Sequence, residues 1–258
     1  MAQLHVEMLS RQRSRNTVLS ALKKLPASLE ETYKDVMERI SKQDAEAVDL
    51  ALKVLSWITY AKEPLSAKML QHAVAATPGM TTLNDGDLTD VDDLVSLCAG
   101  IVTIDRERNI VRLVHYTTQS YLEKHLMDRK VDIAHGCLTY LGLEVFREPC
   151  RCERKDLENR IDDYPFVRYA AIYWSDHIRW ELENELKSLC LLVFKWQGSR
   201  DALYQTEHYL TGWDRFNYVR ERSLLHMFAA SGLTVLCRNL LDNRVDGNEM
   251  YHYSIYES

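Results

Sequence analysis

Glycine and proline are scarce in this chain, at 9 and 5 of 258 residues. So few breaks favour helices joined by short connections over a sheet-rich fold. No apolar run approaches the roughly 20 residues that span a bilayer, and the N-terminus lacks the apolar core of a secretory signal. A cytoplasmic protein without a membrane partner is therefore expected. Positive charge is not in excess either: 32 Lys and Arg stand against 38 Asp and Glu, a formal net charge of -6. Such a chain has no overall attraction for nucleic acid or anionic lipid, and either would need a local basic patch. The six cysteines (Cys98, Cys137, Cys150, Cys152, Cys190, Cys237) lack the density of a disulfide scaffold and read as reduced, mostly buried thiols. Cys150 and Cys152 form one Cys-x-Cys pair with no second pair or matching histidine spacing, so no metal centre is expected.

Catalytic patterns are missing as well. There is no GxxxxGK[ST] phosphate loop and no GxSxG nucleophile elbow. Asp162 with Asp163, and Glu30 with Glu31, are sequence neighbours that face different ways on a helix and make poor acid/base pairs. The chain is expected to be no enzyme and to need no cofactor of its own.

What is present is 46% apolar residues, enough for a sizeable core, arranged at helical spacing. A helix remnant is expected over residues 2–8 and a short helix over 16–24, stopped by Pro26. Ser28 and Glu31 form a capping box for a helix bearing Leu29, Tyr33, Val36, Met37 and Ile40 on one face. Residues 45–61 are apolar around most of the cylinder, the polar positions being Asp49, Lys53, Ser56 and Tyr60, so this helix belongs inside the fold. Pro64 ends it, and Ser66 caps a shorter helix over 67–76. Another helix follows over 90–98, with Gly100 supplying its C-terminal turn. Two β-branched runs, IVTI at 101–104 and IVRLV at 110–114, flank the charged loop DRERN and read as an antiparallel hairpin. His115-Tyr116-Thr117-Thr118 comes next, where a threonine hydroxyl can cap a helix over 119–126.

Helix, helix, helix, hairpin, helix is winged-helix order. After residue 129 only helices are expected, over 131–143, 165–180, 183–196 and 201–209. The charged segment 146–163 reads as a loop or subdomain boundary. Tyr169, Ala170, Tyr173, Trp174, His177 and Trp180 form an aromatic stripe whose ordinary role is core packing. The fold expected is mainly α: a winged helix with one small hairpin, a helical region, and a partial ankyrin-type helix pair.

LPASLEETYKDVMERI (25–40), ALKVLSWITYAKEPLSAKMLQHAVA (51–75) and VRLVHYTTQSYLEKH (111–125) resemble, in order and spacing, the winged-helix domain of the GPI inositol-deacylase type. That domain follows the NACHT nucleotide-binding module in fungal NACHT/ankyrin proteins, signal-transduction NTPases related to NOD-like receptors. CLTYL (137–141) and YPFVRYAAIYWSDH (164–177) resemble the helical region after it. SLLHMFAASGLTVLCRNLLD (223–242) is similar to one ankyrin repeat, matching at Leu225, His226, Ala229, Gly232, Leu240 and Leu241, with Phe228 in place of a small alanine. Boundaries follow: remnant NACHT-associated helices at 1–25, winged helix at 26–129, helical region at 130–218, one degenerate ankyrin repeat at 219–246, tail at 247–258. Relative to that family both ends read as truncated.

The resemblance implies a non-catalytic regulatory and interaction fragment whose winged helix acts as a nucleotide-state lock. His115 stands where the winged-helix histidine of relatives reaches the β-phosphate of bound ADP. Imidazole suits that task because it donates a hydrogen bond to an anion. Here His-Tyr-Thr replaces His-Asp, so no aspartate role carries over, and a histidine bonded within its own domain is the competing state. ADP or ATP would enter only through a NACHT module absent from this chain. Protein partners are expected, such as a NACHT module in trans, with no nucleic acid and no small-molecule ligand. Two alternatives stay open: a stand-alone helical and ankyrin adaptor, and a winged-helix nucleic-acid binder. Against the second, the third helix carries Asp90, Asp92 and Asp93 where groove binding needs Arg, Lys, Asn or Gln.

Overall fold

A computed structural model describes residues 14, 29–150, 153–212 and 222–245. The helices expected over 2–8 and 16–24, Ser28, Cys152 and the tail at 247–258 lie outside the described residues. Among the described residues the fold has twelve α-helices and one two-stranded hairpin. It is a winged helix followed by helices.

The first helix, α1 (Leu29–Ser41), buries Tyr33, Val36 and Ile40 on the face its spacing indicated. Asp44 caps α2 (Ala45–Tyr60) by accepting from the Ala47 amide at 2.9 Å. Ser66 caps α3 (Ala67–Ala75) in the same way through the Met69 amide. The short α4 (Val91–Leu97) begins at Asp90, whose carboxylate accepts from Asp92 N–H, and ends in a left-handed turn at Ala99 (φ 50°) and Gly100 (φ 89°). Side chains from the end of α1 reach its terminal carbonyls: Gln43 donates to Leu97 O at 2.9 Å and Arg39 to Ala99 O at 3.3 Å. That turn feeds β1 (Val102–Asp105), paired antiparallel with β2 (Ile110–Leu113) in the register Val102 to Leu113.

The next helix, α5 (Tyr116–His125), starts three residues before the expected position. Its cap is not a threonine hydroxyl: the His115 imidazole Nδ1 accepts from the Thr117 amide at 3.2 Å. Beyond it come α6 (Lys130–Leu141), α7 (Arg154–Asp163), α8 (Val167–Ile178), α9 (Lys187–Phe194) and α10 (Gln197–Leu210). The charged stretch expected to be a loop over 146–163 therefore contains α7. Its charges are solvated at Arg154, Lys155, Asp162 and Asp163 while Leu157 and Ile161 are buried, and only two apolar positions made that face hard to read. Two last helices, α11 (Leu224–Ala230) and α12 (Thr234–Val245), form a helix pair capped at Ser223.

One buried cluster runs from Tyr33 to Leu236, crossing residues 129–130 without interruption. Its centre is Trp57 of α2, 3% exposed, packed edge-on against Phe166 (5.0 Å) and Tyr169 (5.9 Å). Gly136 on α6 makes this approach possible, because a Cβ there would lie 2.8 Å from Trp57 Cζ2. In the aromatic stripe Tyr169, Ala170 and Trp174 are buried, whereas Trp180 is 77% exposed. The expectation of core packing fails for Trp180 because α8 ends at Ile178 and residue 180 takes a left-handed φ of 76°, turning the indole outward.

The helix expected over 183–196 begins only at Lys187, since Glu183 is used elsewhere. Its carboxylate, 1% exposed, accepts from Trp180 N–H (3.1 Å) and from the first-turn amides of α12, Val235 (2.7 Å) and Leu236 (3.1 Å). A negative charge at that helix N-terminus is favourable, and it anchors the final pair on the helical region. Arg179 adds a bond to Ser231 O at 3.0 Å. Buried Arg200 donates to the carbonyls of Phe194, Lys195 and Arg222, closing the end of α9. Gln205 binds both backbone groups of Cys150 at 2.8 Å.

Two outcomes follow. Gly136→Ala should push the added methyl into the Trp57 ring and cost about 1–3 kcal/mol in urea unfolding. Glu183→Ala should strip three amides of their acceptor, cost about 1–3 kcal/mol, and raise hydrogen exchange across residues 224–245 more than across α2.

Candidate functional site

His115 closes β2 and opens α5, so its ring sits where the wing meets a helix N-terminus. A chain of hydroxyls fixes its hydrogen. Thr118 donates to the Tyr33 hydroxyl at 3.1 Å, leaving the Tyr33 hydrogen for Thr117 Oγ1 at 2.6 Å. Thr117 in turn has its hydrogen free for His115 Nδ1 at 2.7 Å. With the Thr117 amide also directed at Nδ1, that nitrogen is an acceptor, and in the neutral ring Nε2 carries the hydrogen. The half-buried imidazole lines a cleft of about 420 Å³ together with Lys62, Pro64, Leu65, Arg112 and Leu113. Tyr116, 80% exposed, lies tilted against it with ring centroids 4.6 Å apart. The structure thus places His115 in a bond within its own domain through Nδ1 and on a cleft wall at once.

A second cleft, of about 450 Å³, lies on the other side of Lys62. His177 is on its wall, beside Asp128, Asp176, Arg179 and Glu185. Its Nε2 lies 2.6 Å from the Tyr169 hydroxyl, and that hydroxyl accepts the Lys62 amide at 2.9 Å. Burial first, and the Lys62 charge second, push His177 down to about 4. A matching pair stands deeper: the buried Tyr140 hydroxyl lies 2.7 Å from His72 Nδ1 and accepts the Phe166 amide. Burial lowers His72 as well and raises both tyrosines. The His72–Tyr140 bond and the bond from the Lys62 amide to Tyr169 join the winged helix to the helices behind it, while the Tyr169–His177 contact lies within α8. Sequence spacing could not have found the two joining bonds, because their partners are 68 and 107 residues apart.

Burial pushes the thiols of Cys98 and Cys190 up to about 12, which keeps them protonated and inert. Among the described residues no group of three or more His, Cys, Asp or Glu is placed to hold a metal ion, and no helix is long and apolar enough to cross a membrane. At the wing, Arg106 is bound to Asp92 at 2.9 Å, tying the exposed wing tip to the third helix of the winged-helix unit. That contact neutralises a cation on the face a nucleic acid would meet.

Comparison with known proteins matches the architecture. Residues 37–135, from within α1 to within α6, match the family described as GPI inositol-deacylase, winged helix domain. The chain is similar to the azaphilone pigments biosynthesis cluster protein L of Monascus ruber, at 25% identity over 196 residues, covering 68% of this chain and 40% of that protein. It therefore spans well under two thirds of that relative's length. No solved structure matches.

The His177 pair makes an acid-stability prediction. A histidine lowered from 6.5 to about 4 contributes stability that is complete above pH 6.5 and is lost as pH falls through 4. The loss is at most about 3 kcal/mol. In parallel denaturation series at pH 7 and pH 4, His177→Gln should show a correspondingly smaller difference than the parent chain.

Proposed function

We propose that this chain is a non-catalytic regulatory and interaction piece of a NACHT-type signalling NTPase, with the winged helix as the element that locks the nucleotide-binding module. One observation supports the reading above others: the hydroxyl chain from Thr118 through Tyr33 and Thr117 commits His115 Nδ1 as an acceptor. The remaining ring hydrogen is on Nε2, where it can be given only to an acceptor outside the network, such as a phosphate oxygen. Lys62 and Arg112 line the same cleft and favour an anion there. Docking of an ADP-loaded module would favour the closed state, and exchange to ATP would shift the balance by the difference in contacts. The helices after residue 130 and the final pair offer surfaces for further proteins. The name of the Monascus ruber relative refers to a biosynthesis cluster, a setting in which a regulatory component without chemistry of its own is in place.

A reconstituted pair tests this reading: the full chain mixed with an ADP-loaded NACHT module from a fungal NACHT/ankyrin protein, followed by the rate of ADP release. The chain should slow release. His115→Asn keeps a side chain able to cap α5 but loses the Nε2 hydrogen, so it should retain stability and lose most of the slowing. His115→Ala should lose both, with about 1 kcal/mol of stability. Release unaffected by the chain, or slowed equally by the Asn variant, removes the lock.

A further inference from the structure

The wing carries an unfinished third strand. Alternation along β2 turns the backbone groups of Ile110 and Arg112 toward β1 and those of Val111 and Leu113 outward. Val114 N–H accordingly donates to Ile101 O at 3.0 Å, while Val111 N–H points the other way and donates to Leu65 O at 3.0 Å. Ala67 N–H donates to Asn109 O at 3.3 Å, and Ser66 faces Ile110 in an antiparallel bridge. Residues 65–67 thus run along the outer edge of β2; in this register Pro64 falls opposite Arg112 with its backbone turned away from β2, and the next position that could pair is Glu63 against Leu113. The next outward groups, the amide and carbonyl of Leu113, meet no partner among the described residues. They face the cleft of about 420 Å³ that Pro64 and Leu113 line from opposite sides.

We propose that this open edge receives an extended peptide strand from the partner module, carrying an acidic side chain against Lys62. The proposal deepens the lock described above and rests on the His115 face being the docking face. The polar groups on offer are a backbone donor and acceptor at strand spacing, which an extended peptide matches and a small ligand does not. Ile58, Leu65 and Leu113 give the cleft an apolar floor for the alternate side chains. Its charge is cationic. Exposed Lys62 forms no ion pair among the described residues, and Arg112 meets only Asp105, at 3.7 Å. The single acidic side chain on the cleft, Glu63, is engaged by the Tyr173 hydroxyl at 3.3 Å.

The test uses the full chain and a fluorescein-labelled acetyl-TVEVT-amide peptide, read by fluorescence anisotropy. Two analogues, N-methylated on alternate amides, separate edge pairing from side-chain attraction, since only one set of amides can face β2. Saturable binding is expected, weakened about tenfold or more by one methylated analogue and left unchanged by the other. Exchanging the glutamate for lysine should weaken it on the parent chain and restore it on Lys62→Glu. The same complex should slow hydrogen exchange at Leu113. No saturable binding by about 1 mM peptide, equal losses with both analogues, or indifference to Lys62→Glu overturns the strand site. Peptide binding that persists when the chain has no effect on ADP release keeps the strand site and overturns the nucleotide lock instead.

Discussion

The structure depends on a helix enclosed around most of its circumference. Trp57 of α2 reaches the α6 backbone at Gly136 and the rings of Phe166 and Tyr169, while the opposite flank of α2 faces the winged-helix core around Leu55 and Leu94. A large aromatic side chain buried in this way contributes about 1.5–3 kcal/mol from area alone, and edge-on ring contacts add to it. Because one side chain serves both layers, the winged helix and the helices behind it share a core. The His72–Tyr140 bond and the bond from the Lys62 amide to the Tyr169 hydroxyl then fix the orientation of that seam. Each places a polar bond inside an apolar wall, where an unpaired partner would be costly and a wrong register would leave one.

Local chemistry was legible from the residues and long-range chemistry was not. Ser66 read as a cap because the amide that donates to it lies three residues on, whereas the Asp44 cap of α2 went unread; α2 itself read as internal because its polar positions fall on one narrow stripe. Even that stripe was partly misleading: Ser56 is fully buried and satisfies itself by donating to Leu52 O at 2.7 Å. Glu183 shows the other limit. Its sequence neighbours gave it the look of a first-turn helix residue, yet it caps α12 across more than fifty positions. The same holds for α7, where charge along the solvated face concealed a two-residue apolar contact at Leu157 and Ile161. The hairpin and its loop were visible, but the short third strand at residues 65–67 was hidden by the proline beside it.

His115 was legible as a candidate, and its geometry was not. Position in the sequence gave a histidine between a strand and a helix; it could not give the Tyr33 hydroxyl, which arrives from α1, 84 residues before its partner Thr117. That hydroxyl matters because a lone imidazole would be free to exchange tautomers or to flip. Held as the last acceptor of an ordered chain, the ring offers one defined donor.

Pro64 links that imidazole to the open β-edge. Pro64 falls opposite Arg112 with its backbone turned away from β2, so its fixed φ, and not a missing amide, is what it brings to this turn. The chain leaves β2 after one bridge, with Lys62 just past the C-terminal end of α2, between the two clefts, its amide bonded to Tyr169. An exposed edge of this kind invites unwanted pairing, which proteins blunt with short strands and charge. Here the open stretch is short, bounded by the α5 N-terminus on one side and the residue 65–67 strand on the other, with Lys62 and Arg112 set across it. The proposed strand would meet opposite charge there, whereas a second copy of the same cationic edge would meet like charge, so repulsion would contribute to selectivity as well as attraction.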